Sequence, residues 1–293
     1  MRVLLFGGSG QLGYEIRKRL QQINFEVFFP SANETDITDE GEVCSIVESV
    51  RPDVVINSAA YTAVDLAESE PEKAYKINCL GALNVARCAQ KINASLYFIS
   101  TDYVFDGNKN TPWKEDDKPS PLNVYGKTKL AGEEAVVREC EKYTILRTSS
   151  LHGAKGQNFV QTMIKLFKEK EEVGVVQDQI MSPTWAGWLA EVIVDLIRTY
   201  QPHFGIVHAC EAGETSWFEF AKKIKRFLEE EGKIEVSCRV KPITTAEFPR
   251  PAKRPPYSVL NCDKLEAILN EKRPHWEQGL LSHLKEINFG KEL

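Results

Sequence analysis

Short apolar segments alternate with longer amphipathic ones along the first half of the chain. Residues 2–6 are largely apolar and end at a glycine pair, which is typical of a buried parallel strand. Residues 11–22 place Leu12, Ile16 and Leu20 on one face of a helix. The same alternation predicts further strands at 25–29, 54–56, 96–99 and 144–146, and further helices at 40–50, 71–91 and within 122–141. Repeated strand–helix units predict an α/β fold, a Rossmann-type doubly wound parallel sheet.

The pattern becomes less regular beyond Arg147. It predicts helices at 158–172, 185–200 and 217–231, and a proline-rich stretch covers 248–257. We interpret residues 1–148, with part of 173–208 returning to them, as an NAD(P)-binding Rossmann domain. Residues 149–172 and 209–293 would then form a smaller C-terminal substrate-binding lobe that closes over a cleft.

Composition and charge narrow the classes of partner. The chain is 42% hydrophobic and 27% charged, as in ordinary globular proteins, and its net charge of −5 gives no basic surface for nucleic acid. The seven cysteines contain no Cys-x-x-Cys pair, so we expect reduced, buried thiols. No export signal, membrane-spanning run or metal-ligand spacing of histidines is evident. We expect a cytoplasmic protein, a monomer or homodimer, without a nucleic-acid or membrane partner.

The glycine-rich segment 7–13 lies between the first predicted strand and the first predicted helix. It satisfies both Gly8-x-Gly10-x-x-Gly13 and Gly7-x-x-Gly10-x-x-Gly13. Glycines permit the tight turn and the close approach of a pyrophosphate to the helix N-terminus, so this context favours a dinucleotide site. The second predicted strand ends at residues 29–33 with neither an acidic residue nor an arginine, so the choice between NADPH and NADH stays open.

Two tyrosine–lysine pairs have a spacing that places both side chains on one helical face. Tyr14 and Lys18 lie in the first helix, where we expect a packed ring and a solvated lysine. Tyr125 and Lys129 follow the fourth predicted strand, near the sheet edge where ligands bind. We expect the Lys129 ammonium to lower the pKa of the Tyr125 phenol towards neutrality, so that the phenol exchanges a proton with an alkoxide. Thr101, at the end of that strand, would hold the substrate oxygen.

The chain resembles the dTDP-4-dehydrorhamnose reductase branch of the extended short-chain dehydrogenase/reductase superfamily. The Thr-Asp-Tyr-Val-Phe and Tyr-Gly-Lys-Thr-Lys segments, within residues 100–107 and 120–133, are specific to this branch. The similarity also covers residues 51–57, 59–65, 158–159, 178–179, 182–184 and 254–255. It implies hydride transfer from NAD(P)H to C4 of a dTDP-linked 6-deoxy-4-ketohexose, the reduction of dTDP-4-dehydro-L-rhamnose to dTDP-L-rhamnose.

The resemblance also implies roles for individual residues. Tyr125 would be the general acid, Thr101 would polarise the ketone, and Lys129 would hold the nicotinamide ribose. The cofactor would lie against Gly7, Gly10, Gln11, Leu12, Gly13, Asp36, Ile37, Ala59, Ala60, Tyr61, Tyr125 and Lys129. The nucleotide-sugar would meet Thr101, Tyr103, Asn158 and Arg254, with the Arg254 guanidinium suited to the diphosphate.

Three positions depart from the usual pattern of the family. Ser150 replaces a tryptophan expected against the sugar, which leaves the identity of the ketosugar open, and Trp113 or Trp217 are possible substitutes. Met181 replaces a glycine and would add bulk near the cleft. Glu15 matches one ligand of a magnesium site known in part of the family, whereas Gly187 stands at another ligand position, so we predict no bound metal.

Two other functions compete with the reductase. The first is a nucleotide-sugar 4,6-dehydratase or 4-epimerase; a dehydratase needs an acidic pair after the threonine, but Asp102 is followed here by Tyr103. The second is a non-catalytic NADP-binding subunit that resembles the regulatory partner of methionine adenosyltransferase. The complete set of Thr101, Tyr125 and Lys129 argues against that role, while Ser150 keeps it open.

Overall fold

A parallel sheet flanked by helices is built mainly from the first half of the chain, with one strand and two covering helices from the second half. The computed structural model describes residues 1–199, 205–232 and 237–287. Its elements, in chain order, are β1 (Arg2–Phe6), α1 (Gln11–Gln22), β2 (Glu26–Phe28), α2 (Glu40–Val50), β3 (Val54–Asn57), α3 (Val64–Ala67), α4 (Pro71–Tyr75), a π-helical segment (Lys76–Leu80), α5 (Gly81–Lys91), β4 (Ser95–Thr101), a 3₁₀ turn (Asp102–Val104), α6 (Val124–Glu139), β5 (Tyr143–Thr148), β6 (Leu151–His152), α7 (Phe159–Glu169), β7 (Glu172–Val176), β8 (Ile180–Met181), β9 (Thr184–Trp185), α8 (Ala186–Arg198), β10 (Gly205–His208), β11 (Thr215–Ser216), α9 (Trp217–Glu230), β12 (Arg239–Ile243), a second 3₁₀ turn (Thr245–Glu247), α10 (Asp263–Leu269) and α11 (Trp276–Glu286).

The six strands of the central sheet run in the order β10-β5-β4-β3-β1-β2, and all neighbours are parallel. The chain starts at β1, moves outward to β2, and then returns to the other side of β1 with β3. Connections therefore leave in opposite directions from β1 and β3, and such a switch point opens a crevice beyond the carboxyl ends of the strands. The predicted doubly wound sheet is confirmed.

Each face of the sheet is covered by its own apolar core. One core joins α1, α8 and α10 to the sheet through residues such as Ile16, Ile193 and Leu265. The other joins α2, α5 and α6 through residues such as Val47 and Val85. These strands are buried on both faces, which is why they read as continuous apolar runs in the sequence.

A third core lies outside the sheet. It packs α7, α9 and α11 against β7 and includes Val160, Phe167, Phe220, Ile224 and Leu280. The strands β7 and β12 pair in parallel beside it. This cluster lies in the region that we assigned to the C-terminal lobe, although the domain boundaries themselves stay a prediction.

Two predictions about local structure need correction. Cys44 on α2 and Cys88 on α5 form a disulfide, so the expectation that all seven cysteines are reduced is wrong. Sequence cannot reveal this pair because its members are 44 residues apart and meet only when α2 packs on α5, with their Cα atoms 5.1 Å apart. The other five cysteines are free and buried, as predicted.

The predicted single helix at 71–91 is helical throughout but is divided by the π-helical segment 76–80. Asn78 in that segment turns its side chain inward, where it bonds the backbone of Tyr61 and the hydroxyl of Thr128. Such π bulges often mark functional regions. The other predicted helices and strands differ only at their ends, although Tyr200, at the end of the helix predicted over 185–200, lies outside the described residues. Among the described helices, none is both long and apolar enough to cross a membrane.

Candidate active site

The glycine segment after β1 forms a cradle that only glycine can build. Gly7 has a φ of +79°, and a Cβ there would lie 2.6 Å from the backbone nitrogen of Ala59. A Cβ on Gly13 would lie 2.0 Å from the Gly7 carbonyl oxygen. Gly10 is the N-cap of α1 and offers no capping side chain, so the first amides of that helix remain available to a ligand. The loop therefore fits the pyrophosphate of a dinucleotide.

The side of the cradle next to β2 carries a cation that the sequence analysis missed. The Arg17 guanidinium lies over the Phe29 ring, 4.5 Å from its centroid, and Gly8 packs against the Cβ of Phe29. Within the part of the chain that the structure describes, Arg17 makes no ion pair. It comes from α1 and not from the end of β2, where we looked for a cofactor-selecting residue. An arginine near this strand end suits the 2′-phosphate of NADPH.

The residues predicted on the adenine and nicotinamide sides follow the carboxyl ends of β2 and β3. Ile37 is buried against Gly81, and its carbonyl accepts a hydrogen bond of 3.0 Å from the Asn84 amide. Asp36 accepts a hydrogen bond from the Thr38 backbone, which lowers the pKa of its carboxyl. Ala59, Ala60 and Tyr61 follow β3, and Asn78 fixes this loop through both backbone groups of Tyr61.

Helix α6 brings Tyr125 and Lys129 to the end of β4. Its N-cap is Asn123, whose side-chain oxygen accepts a hydrogen bond of 2.8 Å from the Gly126 amide. A Cβ on Gly126 would lie 2.2 Å from the Tyr103 carbonyl oxygen, so only glycine lets the helix approach the 3₁₀ turn this closely. The Tyr125 ring then meets the Tyr103 ring edge-on at 5.9 Å. The predicted pairing of Tyr125 with the end of β4 thus has a steric cause.

Thr101, Asp102 and Tyr125 lie together at the end of β4. The Thr101 hydroxyl donates to Asp102 Oδ1 at 3.0 Å and accepts a hydrogen bond from the Tyr103 backbone at 3.2 Å, and it is near enough to the Tyr125 hydroxyl to act on the pKa of that phenol. Burial raises the pKa of the Tyr125 phenol to about 12, although the Thr101 hydroxyl acts to lower it. This direction is opposite to the shift that we expected from Lys129. Tyr125 is therefore fully protonated at neutral pH in this structure.

Lys129 is buried and points along the sheet. Its ammonium donates to the Ile99 carbonyl at 2.6 Å and lies 4.2 Å from the centroid of the Phe98 ring. Burial lowers the pKa of Lys129 to about 7, while the Glu133 carboxylate one turn along the helix acts to raise it. Lys129 is thus a buried amine beneath the crevice, on the same helix as Tyr125.

Asp102 is 2% exposed and is the residue at the centre of this group that our predictions did not include. Its Oδ2 accepts a hydrogen bond of 2.7 Å from Ser149, and the nearby Ser258 hydroxyl acts to lower the pKa of the carboxyl. Burial raises the pKa of Asp102 to about 6 against these donors. The Ser150 hydroxyl lies 3.3 Å from that of Ser149, and Ser150 has a φ of +46°, an uncommon conformation for a residue other than glycine.

Arg254, predicted to meet a diphosphate, is anchored by Asp65. The guanidinium contacts both oxygens of the Asp65 carboxylate, and the pKa of Arg254 is also raised by the nearby Tyr103 hydroxyl. Arg250 and the Ala252 amide donate to the same carboxylate. The Arg254 guanidinium holds the pKa of Asp65 at about 2. Asp65 thereby fixes the proline-rich segment 248–257 beside the loop that follows β3.

A cavity of about 780 Å³ opens next to this anchor. It is lined by aromatic and cationic groups that include Tyr103, Phe159, Trp217, Arg250 and Arg254. Trp217 therefore supplies an apolar ring to the wall of this cavity. Trp113 is instead a core residue, stacked on Phe105 at 4.5 Å with its indole nitrogen donating to the Tyr257 carbonyl.

Asn158, the remaining predicted substrate residue, caps α7 by accepting a hydrogen bond from the Gln161 amide. Its amide nitrogen donates to the Gln11 side chain at 2.9 Å and to the Gly153 carbonyl at 2.8 Å. Asn158 thus ties the glycine cradle to the start of α7, the first helix of the third core.

Comparison with known proteins agrees with this geometry. The family model of the RmlD substrate binding domain matches residues 1–289. The dTDP-4-dehydrorhamnose reductase of Escherichia coli strain K12 is 38% identical over 293 residues, which cover 98% of each chain. The crystal structure of dTDP-4-dehydrorhamnose reductase from Bacillus anthracis strain Ames in complex with NADP has a TM-score of 0.92 at 41% identity, over 98% of this chain and 99% of that one.

The chain belongs to the dTDP-4-dehydrorhamnose reductase family. The UDP-glucose 4-epimerase of Thermus thermophilus, with a TM-score of 0.84 at 20% identity over the whole of both chains, shares the fold alone.

Two departures from the usual sequence of the dTDP-4-dehydrorhamnose reductase family have structural outcomes. Met181 is 2% exposed in the third core, which also contains Phe159 and Trp217 from the cavity wall, so the expectation of bulk near the cleft stays a prediction. Position 187 requires glycine for steric reasons, because a Cβ there would lie 2.2 Å from the Trp185 ring. Glu15 is buried and paired with Arg19. Within the described residues, no group of three acidic, histidine or cysteine side chains is placed to hold a metal.

Proposed function

We propose that this protein reduces the C4 ketone of dTDP-4-dehydro-L-rhamnose to dTDP-L-rhamnose with NAD(P)H. The observation that carries the proposal is the packing of α6 on the turn after β4, which holds Tyr125 against Tyr103 and near Thr101 at the carboxyl end of that strand. Proteins named dTDP-4-dehydrorhamnose reductase are among the relatives that match over nearly their whole length.

The cradle of Gly7, Gly10 and Gly13 fits the cofactor, which supplies the hydride when bound. Asp36 and Ile37 would face its adenine side, and residues 59–61 would follow it towards the nicotinamide. Arg17 makes NADPH the favoured form, because its guanidinium is held near the end of β2 without a carboxylate partner among the described residues.

Tyr125 delivers the proton in this proposal. Its raised pKa keeps the phenol protonated at neutral pH, and an alkoxide formed by hydride addition is basic enough to take that proton. Thr101 holds the ketone oxygen. Lys129, on the same helix as Tyr125, joins that helix to β4 through its hydrogen bond to the Ile99 carbonyl.

The cavity beside Arg254 is suited to the nucleotide diphosphate. Arg250 and Arg254 supply positive charge, and Phe159 and Trp217 offer aromatic surface for a base or a deoxysugar. Trp217 would serve in place of the tryptophan that Ser150 replaces.

The competing functions require a different residue next to Asp102 or a different use of the cofactor. A dehydratase needs an acid next to Asp102, where Tyr103 stands. An epimerase would retain oxidised cofactor and would consume no external reductant.

The test follows absorbance of the reduced nicotinamide, with dTDP-4-dehydro-L-rhamnose generated in the same tube. Oxidation of NADPH in proportion to dTDP-L-rhamnose formed would support the reductase. Interconversion of sugars without NADPH loss would support an epimerase. Binding of NADPH without turnover of any ketosugar would support a regulatory subunit.

A further inference from the structure

Three polar groups surround the Thr101 hydroxyl, and its single hydrogen can be donated to only one acceptor at a time. A threonine hydroxyl donates one hydrogen bond and accepts up to two. Here it faces Asp102 Oδ1, the Tyr103 amide and the Tyr125 hydroxyl. The amide is always a donor, so the remaining two bonds depend on which group carries a hydrogen.

When the Asp102 carboxyl is ionised, it accepts only, so Thr101 must donate to it. The Thr101 oxygen then accepts from the Tyr103 amide and from the Tyr125 hydroxyl. In this arrangement both hydroxyl hydrogens point inward, towards Asp102. Neither is directed at a ketone in the crevice.

When the Asp102 carboxyl is protonated, its own hydrogen goes to the Thr101 oxygen. Oδ2 keeps accepting from Ser149. The Thr101 hydrogen is then released towards the crevice, and Tyr125 is free to turn its hydrogen the same way. A neutral Asp102 therefore prepares both groups that the reduction requires.

We propose that Asp102 is a positioning residue whose protonated carboxyl donates to Thr101 and thereby directs the Thr101 and Tyr125 hydrogens at the substrate ketone. This inference rests on the proposed reductase function. The proton of Asp102 is retained in this role, since Tyr125 supplies the one that the product alcohol keeps.

Within the described residues, no cation pairs with the Asp102 carboxyl, so the neutral form is populated below the raised pKa of this group. The titratable groups that interact with it are the phenols of Tyr103 and Tyr125 and the thiol of Cys210, and all three are uncharged at neutral pH. The Arg254 cation interacts with Tyr103 and is paired with Asp65. Burial raises the pKa of Asp102 to about 6, so its protonation changes within an accessible pH range.

The test is the pH profile of kcat/KM for the ketosugar between about pH 5 and pH 9. The wild-type profile is expected to fall as pH rises through the Asp102 pKa, by about tenfold for each pH unit. Asp102→Asn places an amide donor against Thr101 at every pH, so this limb is expected to disappear. Asp106→Asn is the matched control and should keep the wild-type profile. The Asp106 carboxyl lies in the same segment and accepts an exposed hydrogen bond from the Asn108 amide.

Ser149→Ala keeps the carboxyl and is the second variant, in case Asp102→Asn does not fold. Loss of a donor to the ionised form should move the limb about one pH unit towards alkaline pH. A limb unmoved by Ser149→Ala would overturn the inference. So would a folded, NADPH-binding Asp102→Asn protein that is inactive across the range. Wild-type protein that reduces no ketosugar at any pH would instead contradict the proposed function and the inference with it.

Discussion

Arg147 and Glu133 form an ion pair that is almost completely buried beneath α6. Their side chains are 2% and 3% exposed, and the guanidinium donates from two nitrogens at 2.9 Å and 2.6 Å. Ser100, on β4, donates to the same carboxylate. Glu133 thus links β4 and β5 to the helix that carries Tyr125 and Lys129.

Removal of one member of this pair is expected to cost much stability. Glu133→Gln would leave the Arg147 charge buried without compensation, and such losses are typically about 3–5 kcal/mol. Denaturant unfolding of the variant measures the change in the free energy of unfolding. Glu134→Gln, on the exposed face of the same helix, is the control and should change little. Equal effects of the two substitutions would show that the buried pair is not important for stability.

The approach of α6 to the 3₁₀ turn predicts a second effect. Gly126→Ala would bring a Cβ to 2.2 Å from the Tyr103 carbonyl, so helix and turn must separate. Because Tyr125 is the neighbouring residue, we expect kcat to fall by about 100-fold. Gly41→Ala, where the added Cβ meets only the Asp39 carboxylate at 3.2 Å, should leave kcat unchanged. Steady-state kinetics on both variants would decide, and a fully active Gly126→Ala protein would refute the steric account.

Cofactor choice should depend on Arg17. Arg17→Ala is expected to raise the KM for NADPH by roughly tenfold or more, because a hydrogen bond to a charged group contributes about 1.5–3 kcal/mol. The KM for NADH should hardly move, since that cofactor has no 2′-phosphate. Lys18→Ala, which removes an exposed cation one residue further along α1, is the control. An equal rise in both KM values would show that Arg17 acts through packing and not through the 2′-phosphate.

The Cys44–Cys88 disulfide should stabilise the sheet-bearing half of the protein. It closes a loop with a sequence separation of 44 residues, for which chain entropy gives an upper value of about 4 kcal/mol. We expect thiol alkylation of the unreduced, unfolded protein to label five cysteines, and reductant to raise that to seven. The melting temperature of the wild type should fall when reductant is added, whereas that of a Cys44→Ser/Cys88→Ser variant should not change with reductant. Seven labelled thiols without reductant would contradict the pairing.

The fold could be predicted largely from sequence because its strands are buried on both faces. The apolar runs of β1, β3 and β4 between amphipathic helices leave few other arrangements. Contacts between distant residues could not be predicted in this way. The Cys44–Cys88 bond and the inward turn of Asn78 depend on which helices pack together. Hydrophobic periodicity does not specify which helices make contact.

The candidate site shows the same division. Tyr125, Lys129 and Thr101 lie in motifs whose local spacing carries their chemistry, and the structure brings Tyr125 and Thr101 together. Arg17 was missed because it approaches the end of β2 from α1, not along the strand. Asp102 was weighed only as half of a dehydratase pair, since its burial among Thr101, Ser149 and Ser258 is a tertiary property.

The central claim is that Tyr125 is the acid of an NAD(P)H-dependent ketosugar reduction. The most direct test compares Tyr125→Phe with Tyr14→Phe, since Tyr14 has the same spacing to a lysine but lies on α1. The account predicts that oxidation of NADPH by dTDP-4-dehydro-L-rhamnose falls by about 100-fold or more in Tyr125→Phe while NADPH binding persists, and that Tyr14→Phe keeps wild-type turnover. Undiminished turnover in Tyr125→Phe would contradict the account.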